Sequence, residues 1–587
     1  MRGIICGGRP WWRWGTQFWG AWALLLYANV WAADPAFQTR AIWATPPSFA
    51  TAAAADELIT RCQRAGLNLI LPDVMVHQTI YFRSTHFPGR VAANDRFDPL
   101  AYLARKCRAA GIKLQPWCCV YYEGAGSAAS LHPDWTVRSL VGQPFSQNFL
   151  APGHPEVNPY LLAVLQDLLA YDIDGIHLDY IRYPGSAFDY ATAACQAFQA
   201  EKGFDPRNFL DHPERLVPPA EEPFPVRVLQ PEIHAGKVWE TTAIERTLDQ
   251  AGFGHAFIAE SPENIERLRA PGLLVISSYY DVPEAMVAAL ADFVTRGGTI
   301  LWTDVPTPAL AQWPALRQLV GIQSARWIGK SRITLTAAGN HPLGNLLRGQ
   351  PFTSDTLYGI QPQGAQVIAT LADGTPGVVL NAVGQGRVIT LAFHLMKSTS
   401  PEVARIARQI LAWCETEAGV TAPNPLAAKR AEWIAWRADR VTALVRDLGV
   451  AAKAKNPRLV ISSSGGPSPW EFYACYRDAR RWLAEGLNDE VFPMNYTPDP
   501  EELVEILQGQ TAAAPPGTLA RIHPGLQLYV SETVGGGQIV VSQNAAVVAR
   551  QLRVVQQQGY RGFCLFADNY LTEEIIAAVR PFSEPVK

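Results

Sequence analysis

Groups able to do chemistry crowd the end of one short stretch, residues 171–184, which reads YDIDGIHLDYIRYP. Its centre, Gly175-Ile176-His177-Leu178-Asp179, alternates in the manner of a buried parallel strand. The strand finishes on a carboxylate, Asp179, with Arg182 and Tyr183 just behind it. A carboxylate can move a proton, a guanidinium beside it can hold it ionised, and an aromatic face can seat a ligand. A parallel strand that delivers such groups at its C-terminal end is how a (β/α) barrel furnishes an active site. A structural reading stands beside this one: Asp179 caps the next helix or merely pairs with Arg182.

The surrounding elements decide between them. Strands are predicted over 39–43, 67–74, 112–121 and 174–179, with helices over 52–65, 100–110 and 155–170. Gly66 and Gly111 stop the first two helices. Loops after the second and third strands carry His77, Tyr81, Arg83 and Ser84, then Glu123, His132, Trp135 and Asn148. Four βα units in a row are half a barrel. Residues 211–225, DHPERLVPPAEEPFP, then read as a linker. A second α/β series follows, with strands predicted over 227–229, 253–258, 273–276 and 299–303 and a late strand near 384–389. That series has the rhythm of a flavodoxin-type doubly wound module. After a break at 421–425 the earlier rhythm returns, with strands over 458–462, 490–496, 526–530 and 562–566.

The predicted fold is therefore a (β/α)8 TIM barrel interrupted by an inserted flavodoxin-like doubly wound domain. The division is 1–32 signal peptide, 33–210 first half-barrel, 211–225 linker, 226–420 inserted domain and 421–587 second half-barrel.

Several motifs carry a family resemblance. They are Arg40-x-x-Trp43, the loop from Tyr81 to Ser84, IKLQPW from Ile112, and DGIHLDYIRYP from Asp174. Trp433-x-x-Trp436-Arg437, WLAEG from Trp482 and PMNY from Pro493 continue them. Together they resemble the glycosyl hydrolase-like 10 family of exported bacterial proteins, over roughly 38–210 and 429–569. The inserted domain departs from the simple family pattern. It resembles amidotransferase-like or β-galactosidase trimerisation-type domains.

The resemblance implies hydrolysis of O-glycosidic bonds in a bacterial cell-wall glycan or an environmental polysaccharide, and a catalytic role for Asp179. Such hydrolysis uses two carboxyl groups. Asp174 opens the same strand and belongs to the opposite barrel face. The second carboxyl is sought at other strand ends, where Glu123, Asp568, Glu471 and Glu532 stand, with Glu123 and Asp568 preferred for their aromatic- and amide-rich loops. Arg182 is assigned to orienting Asp179. Trp43, Trp117, Tyr183, Trp470 and Tyr496 are assigned to stacking on sugar rings, and Asn148, Asn495 and His77 to bonding hydroxyls. His177, mid-strand, reads as a hydrogen-bonded core residue rather than a metal ligand. The competing class is a catalytically silent carbohydrate-binding barrel.

The inserted domain reads as non-catalytic. Its strand at 273–276 runs into Ser277-Ser278-Tyr279-Tyr280, with neither a cysteine nor a GxSxG elbow. No phosphate loop or dinucleotide fingerprint is present. It is expected to shape the cleft or to provide homo-oligomer contacts.

Composition agrees with an ordinary folded protein of more than one domain: 587 residues, 48% hydrophobic and 18% charged. A net charge of -3 argues against nucleic acid or an anionic membrane as partner. Arg2, Arg9 and Arg13 precede an apolar run over 18–27 and the Val30-Trp31-Ala32 site, so a Sec-type signal cleaved after Ala32 is expected. The protein is then periplasmic or extracellular without a membrane span; an uncleaved anchor is the alternative. Eight cysteines lie beyond that site without CxxC spacing, so no zinc centre is expected and pairing is left open. No cofactor or metal is called for.

Overall fold

The computed structural model describes residues 36–583, apart from 125, 146–147, 231–237, 278–280, 396–399, 421–423 and 535–536. The expected signal peptide lies outside the described residues.

The first half of the barrel comprises strands β1 (Thr39–Ala44), β2 (Leu69–Val76), β3 (Trp117–Cys119) and β4 (Gly175–Asp179). Between them run helices α1 (Ala52–Ala65), α2 (Pro99–Ala110) and α3 (Val157–Gln166). Every residue of β4, and all but the last of β2, is buried, as parallel strands covered on both faces must be. Local chemistry sets the helix ends. The side chains of Thr51 and Asp98 accept from the backbone at the starts of α1 and α2. Gly66 and Gly111 close the same helices at φ of 71° and 68°, in the left-handed region.

The chain then leaves the barrel to build a mixed sheet. Its parallel strands are β5 (Val226–Gln230), β6 (Ala256–Ala259), β7 (Leu273–Ile276), β8 (Thr299–Trp302) and β9 (Gly386–Leu391). They lie side by side in the order β6-β5-β7-β8-β9. Three antiparallel strands, Pro376–Val383, Gln366–Thr370 and Thr336–Ala337, extend the β9 edge. These strands, and the short pairs Ile322–Trp327/Tyr358–Pro362 and Ser331–Ile333/Phe352–Ser354, fill a region where no strand was predicted. Helix α4 (Val238–Ala251) packs on the barrel side, and the sheet has its own hydrophobic core.

The chain returns through the 30-residue helix α5 (Leu426–Lys455) to strands β10 (Val460–Ser463), β11 (Glu490–Val491), β12 (Gly525–Gln527) and β13 (Gly562–Phe566). Helices α6 (Pro469–Cys475) and α7 (Pro500–Ala513) follow β10 and β11. The eight strands run β11-β10-β4-β3-β2-β1-β13-β12. Parallel bridges Val491↔Ile522 and Met494↔Gly525 join the two ends. The barrel is closed.

Three predicted elements change. The strand expected over 112–121 is two short pieces, because Pro116 between them cannot donate to the ladder. The single helix expected around 473–485 is two, separated at Tyr476, whose φ is 56°, with Asp478 capping the second. The strand expected over 526–530 stops at Gln527, and the chain turns into the hairpin Tyr529–Val534/Gly537–Ser542.

The motif tryptophans of the second half are core. Trp433 and Trp436 stack on α5 against Phe198, and Trp482 is buried with its indole donating to Thr442. All eight cysteines among the described residues are buried and unpaired. No described helix is long and apolar enough to cross a membrane.

Candidate active site

Strand alternation dictates which side chains enter the barrel. On β1 they are Ala41 and Trp43, on β2 Leu69 and Leu71, on β3 Trp117 and Cys119, and on β13 Cys564. Continuing each alternation to the C-terminal end brings Asp73, Cys119, Asp179 and Phe566 to the top layer. These four, with Trp43, Trp117, His77, Tyr122, Tyr180, Met494 and Tyr496, line a cavity of about 250 Å³. Trp43 can reach in so far because Gly525 stands on β12, two strands away across β13, where a Cβ would lie 2.7 Å from the indole ring.

Two carboxyl groups share this cavity. Asp179 is 5% exposed and Asp73 4%. The Tyr180 backbone N–H donates to Asp179 Oδ1 at 2.7 Å, and the Ser464 hydroxyl donates to the same oxygen. Arg477 in turn donates to Ser464 Oγ at 3.1 Å and to Glu471 at 2.9 Å, so a guanidinium backs Asp179 through one hydroxyl. Asp73 has a poorer shell. Its described side-chain donor is the Cys119 thiol, 3.7 Å from Oδ1. Burial first, and then the charge of Asp179, push the Asp73 carboxyl well above the usual range. The Cys119 thiol is raised as well by burial and by both carboxyls.

Tyr180 and His77, two cavity residues, hold left-handed φ angles of 46° and 50°. Non-glycine residues take that conformation only where surroundings enforce it. At Tyr180 it turns the chain sharply away from Asp179. Beneath the carboxyls, Trp43 Nε1 donates to His177 Nε2 at 3.1 Å, so the proton on His177 sits at Nδ1, 2.9 Å from Ser462 Oγ. The Ser462 hydroxyl in turn donates to Gln115 Oε1 at 2.6 Å. Burial lowers His177 to about 4, leaving it a neutral relay of hydrogen bonds in the core.

The residues proposed from sequence divide into several groups. Asp179, Trp43, Trp117, His77 and Tyr496 line the cavity. Glu123 does not. It is fully buried, accepts from the Tyr160 hydroxyl at 2.6 Å, and burial raises it. Asp568 is also sealed off: its carboxylate accepts from Thr45 N, Thr45 Oγ1 and Ser48 Oγ, fixing the loop after β1. Arg182 does not reach Asp179. It lies over the rings of Tyr180 and Phe149 and donates to the Tyr183 carbonyl. Tyr183 is fully buried, edge-on to Tyr476. Asn148 is partly exposed on its loop, outside the cavity. Trp470 and Asn495 line a neighbouring groove, with Asn495 exchanging hydrogen bonds with Gln510. Glu471 is the partner of Arg477, and the side chain of Glu532 lies outside the described residues. Asp174 Oδ2 accepts from Leu114 N at the foot of β4.

Sequence reading missed Asp73, Ser464 and Arg477. Asp73 had a signal: in LILPDVMV it is the one charged residue, two positions beyond Leu71, and so faces inward with Leu69 and Leu71. Ser464 and Arg477 meet Asp179 only through folding.

In the inserted sheet, Ser277 at the end of β7 lies 3.0 Å from His394 Nε2 beyond β9. Both are buried, at 2% and 0% exposed. Among the described residues no cluster of His, Cys, Asp and Glu could hold a metal ion.

The sequence profile of the glycosyl hydrolase-like 10 family matches residues 38–214, the first half of the barrel, and 413–529, which runs from the end of the insert through β12. The chain belongs to this family. No curated protein matches it. Solved structures similar to it include a β-galactosidase from Bacillus circulans sp. alkalophilus, 11% identical at a TM-score of 0.27, covering 66% of this chain and 89% of that one. Another is the exo-β-1,4-mannosidase Op5Man5 from Opitutaceae bacterium strain TAV5, 13% identical at 0.25, covering 68% and 98%. A third is α-L-fucosidase isoenzyme 2 from Paenibacillus thiaminolyticus, 12% identical at 0.24, covering 64% and 84%. At these values they add nothing to what the strand order of this glycosyl hydrolase-like 10 member already shows.

Proposed function

We propose that this protein hydrolyses O-glycosidic bonds of a polysaccharide, with Asp73 as general acid and Asp179 as base or nucleophile. The observation that carries the reading is the meeting of two carboxyls in one aromatic-walled cavity at the C-terminal mouth of the barrel. Their environments push them apart in role. Asp73, desolvated and facing a negative neighbour, keeps its proton for the leaving oxygen. Asp179, fed by Tyr180 N–H and the Ser464 hydroxyl, is held to face the sugar ring. Trp43, Trp117 and Tyr496 offer faces to the apolar side of a sugar.

The substrate is proposed as a cell-wall glycan or an environmental polysaccharide reached after export. The insert is read as a flavodoxin-like, non-catalytic module, supported by the order β6-β5-β7-β8-β9.

The test is reducing-sugar release by protein lacking residues 1–32, on peptidoglycan glycan strands stripped of peptide and on plant and algal polysaccharides. Cleavage that falls at least about a hundredfold in both Asp73→Asn and Asp179→Asn supports the pair. Cleavage that survives either change removes that residue from the mechanism. Binding without cleavage by wild type leaves a silent carbohydrate-binding barrel. The activity of wild type should also decline as pH rises through the elevated pKa of Asp73, because only the protonated form can donate.

A further inference from the structure

A second cavity, of about 310 Å³, opens between the barrel and the inserted module, and its walls come from both. The barrel supplies Trp470, Asn495, Tyr496 and Gln510; the module supplies Gln250 and Thr353. Met494 and Tyr496 line this groove and the carboxyl-bearing cavity alike, so the two are neighbours that share those side chains as a wall. The volume reaches the lower end of ligand pockets, about 300 Å³.

The lining selects a class of ligand. Aromatic surface from Trp470 and Tyr496 stands beside the paired amides of Asn495 and Gln510. Three carboxylates also face the groove, and each already has a cationic partner: Glu471 with Arg477, Glu502 with Lys330, and Glu505 with Arg332. With the charges answered, the groove has little net field to draw an ion. It suits a neutral ligand that has an apolar face and a rim of hydroxyls, which describes a sugar ring.

The module wall is also held in place. Arg430 on α5 makes buried hydrogen bonds to both oxygens of Asp249 and to Glu245, both on α4. Arg246, on the same helix, lies 4.7 Å over the Trp470 ring. Lys330 and Arg332 reach from the module to α7. A wall fixed at three places can present Gln250 and Thr353 without first having to order them.

We infer that the insert and the barrel together form a second sugar-binding subsite, which seats further units of the chain being cleaved and makes the protein select long glycans over short ones. This rests on the hydrolase reading above and adds to it a function for the insert. Binding energy gained away from the scissile bond is then spent on orienting that bond.

The experiment compares size-fractionated peptidoglycan glycan strands, stripped of peptide, of about four and about twelve sugars. Wild type, Trp470→Ala and Thr353→Trp, which fills the groove from the module side, are assayed for kcat/KM on each. Binding of the same fractions to Asp179→Asn, with and without each groove change, is followed by tryptophan fluorescence. The expected result is a long-to-short ratio of kcat/KM well above one in wild type, falling about tenfold in both variants, with a parallel loss in long-strand affinity. A ratio that stays put in folded Thr353→Trp overturns the subsite while leaving the hydrolase reading intact. Absence of cleavage by wild type sinks the hydrolase reading instead. The groove is then judged on binding alone: length-dependent affinity lost in Thr353→Trp supports it, and affinity indifferent to length or to the variant overturns it.

Discussion

Two sets of parallel strands in this molecule end in groups that do chemistry elsewhere, and among the described residues one of them presents those groups to a cavity. At the barrel mouth, Asp73, in the C-terminal half of β2, and Asp179, the last residue of β4, face an aromatic-walled opening of about 250 Å³. At the corresponding edge of the inserted sheet, Ser277 and His394 meet at 3.0 Å, a distance fit for a nucleophile and its base, yet both are closed off from solvent. Position at a strand's C-terminal end is shared, and access is not. The same contrast holds inside the barrel: Glu123 and Asp568 follow strand ends too, but Glu123 is fully buried with Oε1 turned onto Tyr160, and both Asp568 oxygens are turned onto Thr45 and Ser48. Asp568, answered at both oxygens by its own fold, is a fastener.

The contrast is broken most directly by paired substitutions. Asp179→Asn should reduce glycan cleavage at least about a hundredfold, whereas Ser277→Ala should leave it within about twofold. A large loss in Ser277→Ala would make the inserted edge catalytic and end the distinction. Removing the Ser464 hydroxyl is the next largest effect: Ser464→Ala should lower kcat by about tenfold, the worth of one hydrogen bond to a charged group, with KM little changed. A KM effect alone would mean that Ser464 serves binding rather than the placement of Asp179.

Stability sharpens the contrast from the other side. Asp568→Ala removes a carboxylate that answers three donors, and it should destabilise the fold by about 2–4 kcal/mol in urea melts while the folded fraction still cleaves. Unchanged stability would show that the contacts to Thr45 and Ser48 hold nothing. The smallest effect concerns Asp73. Its folded pKa is raised, so its contribution to stability is complete below about pH 4, the unfolded value, and is withdrawn as pH rises through the folded one. Asp73→Asn lacks that penalty. It should melt about 2 °C above wild type at pH 8 and level with it near pH 4, while being inactive at both. A variant less stable than wild type at pH 8 would contradict the elevated pKa.

Periodicity carried much of this into the sequence. β4 and β13 were readable because each is a short apolar run bounded by turn residues, and Asp179 followed from the end of its strand. Asp73 was legible in principle from the two-residue alternation of β2. Pro72-Asp73 interrupts an otherwise apolar run, and periodicity alone does not mark a mid-strand carboxylate as a cavity residue. The roles assigned to Arg182 and Tyr183 failed for a different reason. Tyr180 adopts a left-handed turn, which strand periodicity does not encode, and the residues after it leave the cavity. Arg477 belongs to a helix-to-helix turn 298 positions beyond Asp179, and nothing local to either residue announces the connection through Ser464.

The interruption of the barrel also governs how the chain can reach this state. β4 finds its neighbour β10 only across the whole insert, as the His177–Ser462 contact spans 285 positions. The ring is sealed where Thr45 meets Asp568, 523 positions apart. Contacts this distant in sequence form late, since loop closure must precede any gain from them. As the chain emerges from its N-terminus, a half-barrel with two unpaired parallel edges stands waiting while the inserted sheet completes its own core. Those edges are templates for pairing with another chain. An insert at this place thus lengthens the interval during which those edges stand open.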